Sequence, residues 1–278
     1  MNNSMNMTEH KASAAHDIKV LLAADDLAGA VARMIDAVRQ APQDLQGRLL
    51  LTDLLILSGD LERADKQAGV AASLAPAEAV GLSLLRREIR GMEARRRWYE
   101  EAAVPDFPDG PGEADQIALK LALALRAGDE AAVAAARETL AAMAPVQCSW
   151  NGGESGDFRD LDDRLPHALE AISSGGGYLW IDFRKIARLE FEPDARPRDL
   201  AFRRARLSLK SGSIAEILVP ALYHGADPGV ALRLGRETRW VDGPGGIVCG
   251  QGQRCFLAGD AMVAISEAVT IAAGEGDG

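Results

Sequence analysis

Gly177-Tyr178-Leu179-Trp180-Ile181-Asp182-Phe183 decides how the C-terminal half of this chain folds. Two companions lie downstream, Arg236-Glu237-Thr238-Arg239-Trp240 and Gly250-Gln251-Gly252-Gln253-Arg254. Each either alternates apolar and polar residues at period two or sets glycines between short apolar runs, the pattern of a half-buried antiparallel sheet with tight turns. None of the three carries a nucleophile with its base, so these stretches point to recognition rather than catalysis.

Working outward, further β-prone runs fall at Arg188 to Glu192, Arg206 to Leu209, Ile214 to Val219, Ile247 to Cys249, Arg254 to Leu257 and Met262 to Ile265. The connections between them are short enough for an antiparallel meander. Upstream, Asn151 to Arg164 reads as a loop. Pro166 then suits the first position of a helix running to Ser174, before Gly175-Gly176-Gly177.

The N-terminal half is built differently. Asp26-Leu27 with Ala30, Ala37 and Pro42 recurs as Asp60-Leu61 with Ala64, Ala71 and Pro76, a shift of 34 residues at every position. That is the period of a tetratricopeptide repeat. Gly59-Asp60 ends one helix and N-caps the next, alanines let paired helices approach, and the prolines stop them. A looser third copy runs from Gly128-Asp129 to Pro145, and Leu82, Leu85, Ile89 and Met92 mark one face of a helix reaching about Glu101. The expected fold is therefore a two-domain α+β chain. A tail over residues 1–15 precedes an all-α, tetratricopeptide-like domain over 16–146, and a mainly antiparallel β domain with at least one helix follows over 147–273.

Composition narrows the function. The chain has 278 residues, 47% hydrophobic and 26% charged, and a net charge of −10, which argues against nucleic acid or an anionic membrane surface as partner. Cys148, Cys249 and Cys255 lack the spacing of a disulfide framework or a zinc site. The first 16 residues are polar and no apolar run approaches ~18 residues, so a cytoplasmic location is expected.

Each site with catalytic potential has a plainer reading. His224 near Asp227 resembles a base and its orienter but also an ordinary loop histidine, and no GxSxG, HExxH or GxxxxGK[ST] accompanies it or His167. Gly243 to Gly252 lacks GxGxxG and reads as a hairpin turn, and Cys249 with Cys255 reads as two structural thiols. Arg86, Arg87, Arg90, Arg95, Arg96 and Arg97 crowd one helix, either as a groove for an acidic partner or as a solvated face paired with Glu88, Glu93, Glu100 and Glu101. No metal, cofactor or catalytic residue is expected.

In order and spacing the second half resembles the ImpE/TagJ accessory proteins of type VI secretion systems. The likeness runs through Trp150, Asp162-Asp163-Arg164-Leu165, Leu169-Glu170, Gly177-Tyr178-x-Trp180-Ile181-x-Phe183, Arg198-Asp199-Leu200, Pro220-x-x-Tyr223-x-Gly225, Arg236-x-Thr238-x-Trp240 and Gly250-x-Gly252-Gln253-Arg254. Gly177, Leu179, Asp182 and Arg239 depart from the family's usual residues. The resemblance implies a cytoplasmic, non-enzymatic adaptor that binds the N-terminal helix of the contractile sheath's small subunit and acts near the ClpV-type ATPase that disassembles the sheath. A generic helical-repeat scaffold, or an enzyme using His224 or the cysteines, is the alternative. On this reading some of Tyr178, Trp180, Tyr223 and Trp240 anchor the partner helix on a sheet face, with Arg164 and Arg254 at its edge; the plainer reading puts each aromatic in the core and gives Arg164 a structural role.

Overall fold

The computed structural model describes residues 16–101, 103–225 and 229–274. The expected tail over residues 1–15 lies outside the described residues, as does Asp227. Helical structure occupies residues 16–23 (α1), Leu27–Gln40 (α2), Leu45–Leu57 (α3), Leu61–Leu74 (α4), Ala79–Glu101 (α5), Glu113–Ala127 (α6) and Glu130–Ala141 (α7). The 34-residue register is visible in the caps. Asp26 and Asp60 accept from the backbone N–H of Gly29 and Arg63. The C-caps Ala41 and Ala75 adopt nearly the same backbone angles, φ −127° and −129° with ψ 72° and 73°. Along α4 the buried face is Leu61, Ala64, Ala68 and Ala71, so small side chains bring α3 and α5 close. α3 is apolar on most sides and is buried almost throughout, as a central helix must be.

Twelve strands follow, beginning at Val146. Ten of them form one sheet in the order β11-β10-β2-β1-β12-β5-β6-β7-β3-β4, with every pairing antiparallel. They are β1 Val146–Trp150, β2 Ser155–Asp160, β3 Ala168–Ser173, β4 Tyr178–Asp182, β5 Ile186–Phe191, β6 Phe202–Leu209, β7 Ile214–Pro220, β10 Cys255–Ala258, β11 Ala261–Ala264 and β12 Thr270–Ala273. A separate hairpin pairs β8, Thr238–Asp242, with β9, Val248–Gly252, and the helical turn Val230–Arg233 (α8) precedes it. The large sheet curls on itself. Phe183, just beyond edge strand β4, meets Phe158 of β2 at 5.0 Å and Phe256 of β10 at 6.2 Å between ring centroids.

The expected helix from Pro166 to Ser174 is instead strand β3, whose first five residues are all buried. A strand covered on both faces loses its period-two signal, and Ala-Leu-Glu-Ala then reads as helix. The expected loop over Asn151 to Arg164 contains β2, in which only Phe158 and Asp160 are buried. The arginine-rich helix α5 is no plain solvated face. Arg95 is buried against Glu170 of β3, and Glu88 pairs across to Arg204 of β6 at 2.9 Å instead of within its helix.

α5 is one of the elements that join the halves, beside α3, whose Asp53 pairs with Arg196, and α7, whose Arg137 binds Gly246. The helical core of α2 to α5 continues into Ile172, Leu218, Ala201 and Leu234 of the second half. Gly91 permits this contact, because a Cβ there would stand 2.4 Å from Ile172 Cγ2. Opposite it, Gly176 has φ +90° and its α-carbon faces the Arg87 carbonyl, a place where a side chain would be both strained and blocked.

Candidate functional site

Where β3, β2 and the start of β10 converge, a connected set of polar side chains closes the curled sheet. Glu170 points inward from β3 and is 1% exposed. Arg95 of α5 grips it with two bonds, Nε to Oε1 at 2.8 Å and Nη2 to Oε2 at 3.0 Å, and donates onward to the Leu222 carbonyl at 3.1 Å. Arg254, from the residue before β10, contacts Glu170 Oε2 with Nη2, Asp160 Oδ2 with Nη1 at 2.6 Å and the Pro220 carbonyl with Nε at 3.0 Å. Tyr178 donates to Glu170 Oε1 at 2.5 Å, and Trp180 Nε1 donates to the Tyr178 hydroxyl at 2.8 Å. On the other flank the Tyr223 hydroxyl lies 2.8 Å from Asp160 Oδ1 and accepts from the Cys255 N–H at 3.0 Å. Its ring packs where a Cβ on Gly250 would fall 2.3 Å away, which explains the first glycine of the Gly250-x-Gly252 pair.

The electrostatics follow from this geometry. Burial pushes the Glu170 carboxyl up, but the Arg95 and Arg254 guanidiniums outweigh it and hold the group well below the usual carboxylate range. Asp160 has only one of these arginines and has Asp162 nearby, so burial prevails and its pKa rises to about 6. Above the network Tyr99 stacks on His224, with ring centroids 4.3 Å apart, and Arg164 lies 5.3 Å over the same tyrosine ring. Burial, then the neighbouring arginines, pull His224 down to about 4, so it is neutral at pH 7. Burial also lifts the thiols of Cys249, to about 11, and Cys255, leaving little thiolate at neutral pH. No group of three or more possible metal ligands occurs among the described residues.

All six residues singled out in the sequence join this one assembly, yet most are inside it. Tyr178, Trp180, Tyr223 and Arg254 are 3%, 2%, 7% and 2% exposed, so a partner cannot reach them without opening the sheet. Arg164 is half-buried and clamps the loop before β3, binding Asp162 through Nε at 2.8 Å and the His224 carbonyl through Nη1 at 3.0 Å. Trp240 alone is exposed, at 37%, and its ring leans on Tyr223 with centroids 5.9 Å apart. Sequence reasoning missed Arg95 and Asp160 and gave Glu170 no role. The signal for Arg95 was present, since it follows Leu85, Ile89 and Met92 on the inward face of α5.

Residues 152–272, which carry the network except for Arg95, match the sequence profile of the ImpE protein family. That stretch, in the second half of the chain, is similar to the ImpE family. The likeness extends beyond the ImpE domain: the type VI secretion system accessory component TagJ of Pseudomonas aeruginosa is 29% identical over 231 residues, 80% of each chain. Among solved structures, the crystal structure of protein VPA1032 from Vibrio parahaemolyticus superimposes with a TM-score of 0.84 at 25% identity, covering 92% of this chain and 97% of that one. The chain therefore shares its helical half and its curled sheet with that protein as one arrangement. No single helix among the described residues is long and apolar enough to cross a membrane.

Proposed function

We propose that this chain is a non-enzymatic accessory protein of a type VI secretion system, acting in the cytoplasm as an adaptor for the contractile sheath. The observation that carries the reading is the similarity to TagJ over 80% of both chains, which spans the helical half as well as the ImpE domain. The polar chemistry agrees with it. The two buried carboxylates of the network are held by arginines and tyrosines, His224 is neutral and the thiols are protonated, so these groups serve the fold rather than a reaction.

The finer reading is that the protein binds the N-terminal helix of the sheath's small subunit and thereby modulates disassembly by the ClpV-type ATPase. Its helical half is read as tetratricopeptide-like on the matching caps at Asp26 and Asp60, an architecture suited to holding a helical segment. Titrating the whole chain with a peptide of that N-terminal helix tests the reading. Saturable binding is expected. A folded chain that does not bind the peptide rejects the sheath adaptor.

A further inference from the structure

A groove of about 380 Å³ lies away from the buried network, between the end of α7 and the strands β2 and β10. Its floor is apolar, lined by Leu140 of α7, Met143 just beyond it, and Val146 and Leu257 from the sheet. Its rim carries Arg137, Arg159 and Arg184, a concentration of positive charge on a chain whose net charge is −10. These arginines keep donors to spare. Arg137 spends only Nη1, on the Gly246 carbonyl at 2.7 Å, and Arg159 only Nη1, at 3.2 Å from the Asp160 carbonyl. Arg184 spends its two terminal nitrogens on Ala144 and Asp182 and retains Nε.

The two acids that share the groove are already engaged. Asp157 accepts from Gln147 Nε2 at 2.6 Å, and Asp163 accepts from the Val248 N–H at 2.8 Å and lies 3.9 Å from Arg159 Nη1, a long pair that leaves Arg159 Nε and Nη2 open. At the floor His167 bonds Asp115 through Nε2 at 2.9 Å, while its buried Nδ1 meets no hydrogen-bonding group among the described residues. An apolar trough edged by guanidiniums with free donors fits an amphipathic helix whose polar side bears carboxylates: anchors at helical spacing fill the trough, and the fork of each arginine matches a carboxylate.

We propose that this groove is where the partner helix docks, and that the helix is acidic on its polar side. The proposal rests on the sheath-adaptor reading and replaces the buried aromatics of β4 with α7, β2 and β10 as the contact surface. Charge across the interface then sets both orientation and association rate.

The test is a fluorescence anisotropy titration of the full-length chain with the N-terminal peptide of the sheath small subunit, in three arms. R137E with R159E should weaken binding tenfold or more. The control R39E, on the exposed face of α2, should leave it unchanged. A peptide with its Asp and Glu replaced by Asn and Gln should lose affinity to a similar extent and lose salt dependence. Should the reversed pair fail to fold by circular dichroism, R137A with R159A adds no repulsion and answers the same question. If the wild type binds while the rim variants bind equally well, or if the neutral peptide binds as tightly, the docking site is wrong and the adaptor reading stands. If the wild-type chain does not bind at all, both fall.

Discussion

The two halves of this molecule hold themselves together by opposite means. In the helical half, ion pairs are solvated: the side chains of Arg39 and Asp36 are 77% and 62% exposed, and those of Lys66 and Glu62 are 66% and 80% exposed. Its cohesion comes from leucines and alanines in contact. At the seam of the curled sheet the ion pairs are interior, with Arg254 and Asp160 at 2% and 1% and Arg95, reaching in from α5, and Glu170 at 8% and 2%. A solvated pair is worth little either way, whereas a buried pair costs dearly when only one partner is removed. The solvated charges of the first half are thus replaceable, whereas the interior pairs of the sheet, and Asp53, Glu88 and Arg95 that reach from the helices to the second half, are not. The polar residues inside 152–272 thus close the sheet.

The contrast breaks most easily at Arg254. R254A strands Glu170 and Asp160 in the interior and should cost about 3–5 kcal/mol, read as a shift in urea midpoint; a loss below about 1 kcal/mol would mean that the seam behaves like a surface pair. G91V attacks the junction by driving Cγ atoms and Cβ into Ile172, and about 1–3 kcal/mol of destabilisation is expected. Unchanged thermal unfolding would show that α5 and β3 part without penalty. In the helical half D60A removes the cap on Arg63 N–H for about 1 kcal/mol, measurable in the same denaturant series.

The smallest effect is a cancellation. Asp160, raised from 3.8 to about 6, takes up its proton earlier in the folded chain than in the unfolded one, so on its own account stability rises as pH falls through 6 towards 4. His224, lowered from 6.5 to about 4, takes up its proton later when folded, so its contribution is lost as pH falls through the same window. The wild type should show a shallow pH profile between 4 and 6.5. H224Q should turn that profile upward on acidification and D160N should turn it downward; matching slopes in the two variants would refute the pairing.

How much of this was legible depended on whether a signal was local. The caps at Asp26 and Asp60 and the strands β4 to β7 rest on periodicity and turn chemistry, and they read directly. β3 did not, because burial on both faces erased its alternation, and β12 is a four-residue Thr-Ile-Ala-Ala run with no pattern to detect. Tyr178, Trp180, Tyr223 and Arg254 read equally as core or as a partner-facing surface, since a motif does not record which way its residues face, and the structure buries them. Arg95 sat among five other arginines, and only its phase with Met92 and Ile89 distinguished it.

One carboxylate, Glu170, is held at once by an arginine from the helical half and an arginine from the sheet. Cutting the chain at the α7–β1 link to obtain the ImpE domain alone would strip Arg95 from it and expose Ile172 and Leu218 to water. Such a fragment would be an injured sheet and not a smaller version of the protein. Any loss of binding it displayed would report on that injury, so maps of where partners attach are better drawn with point changes in the intact chain.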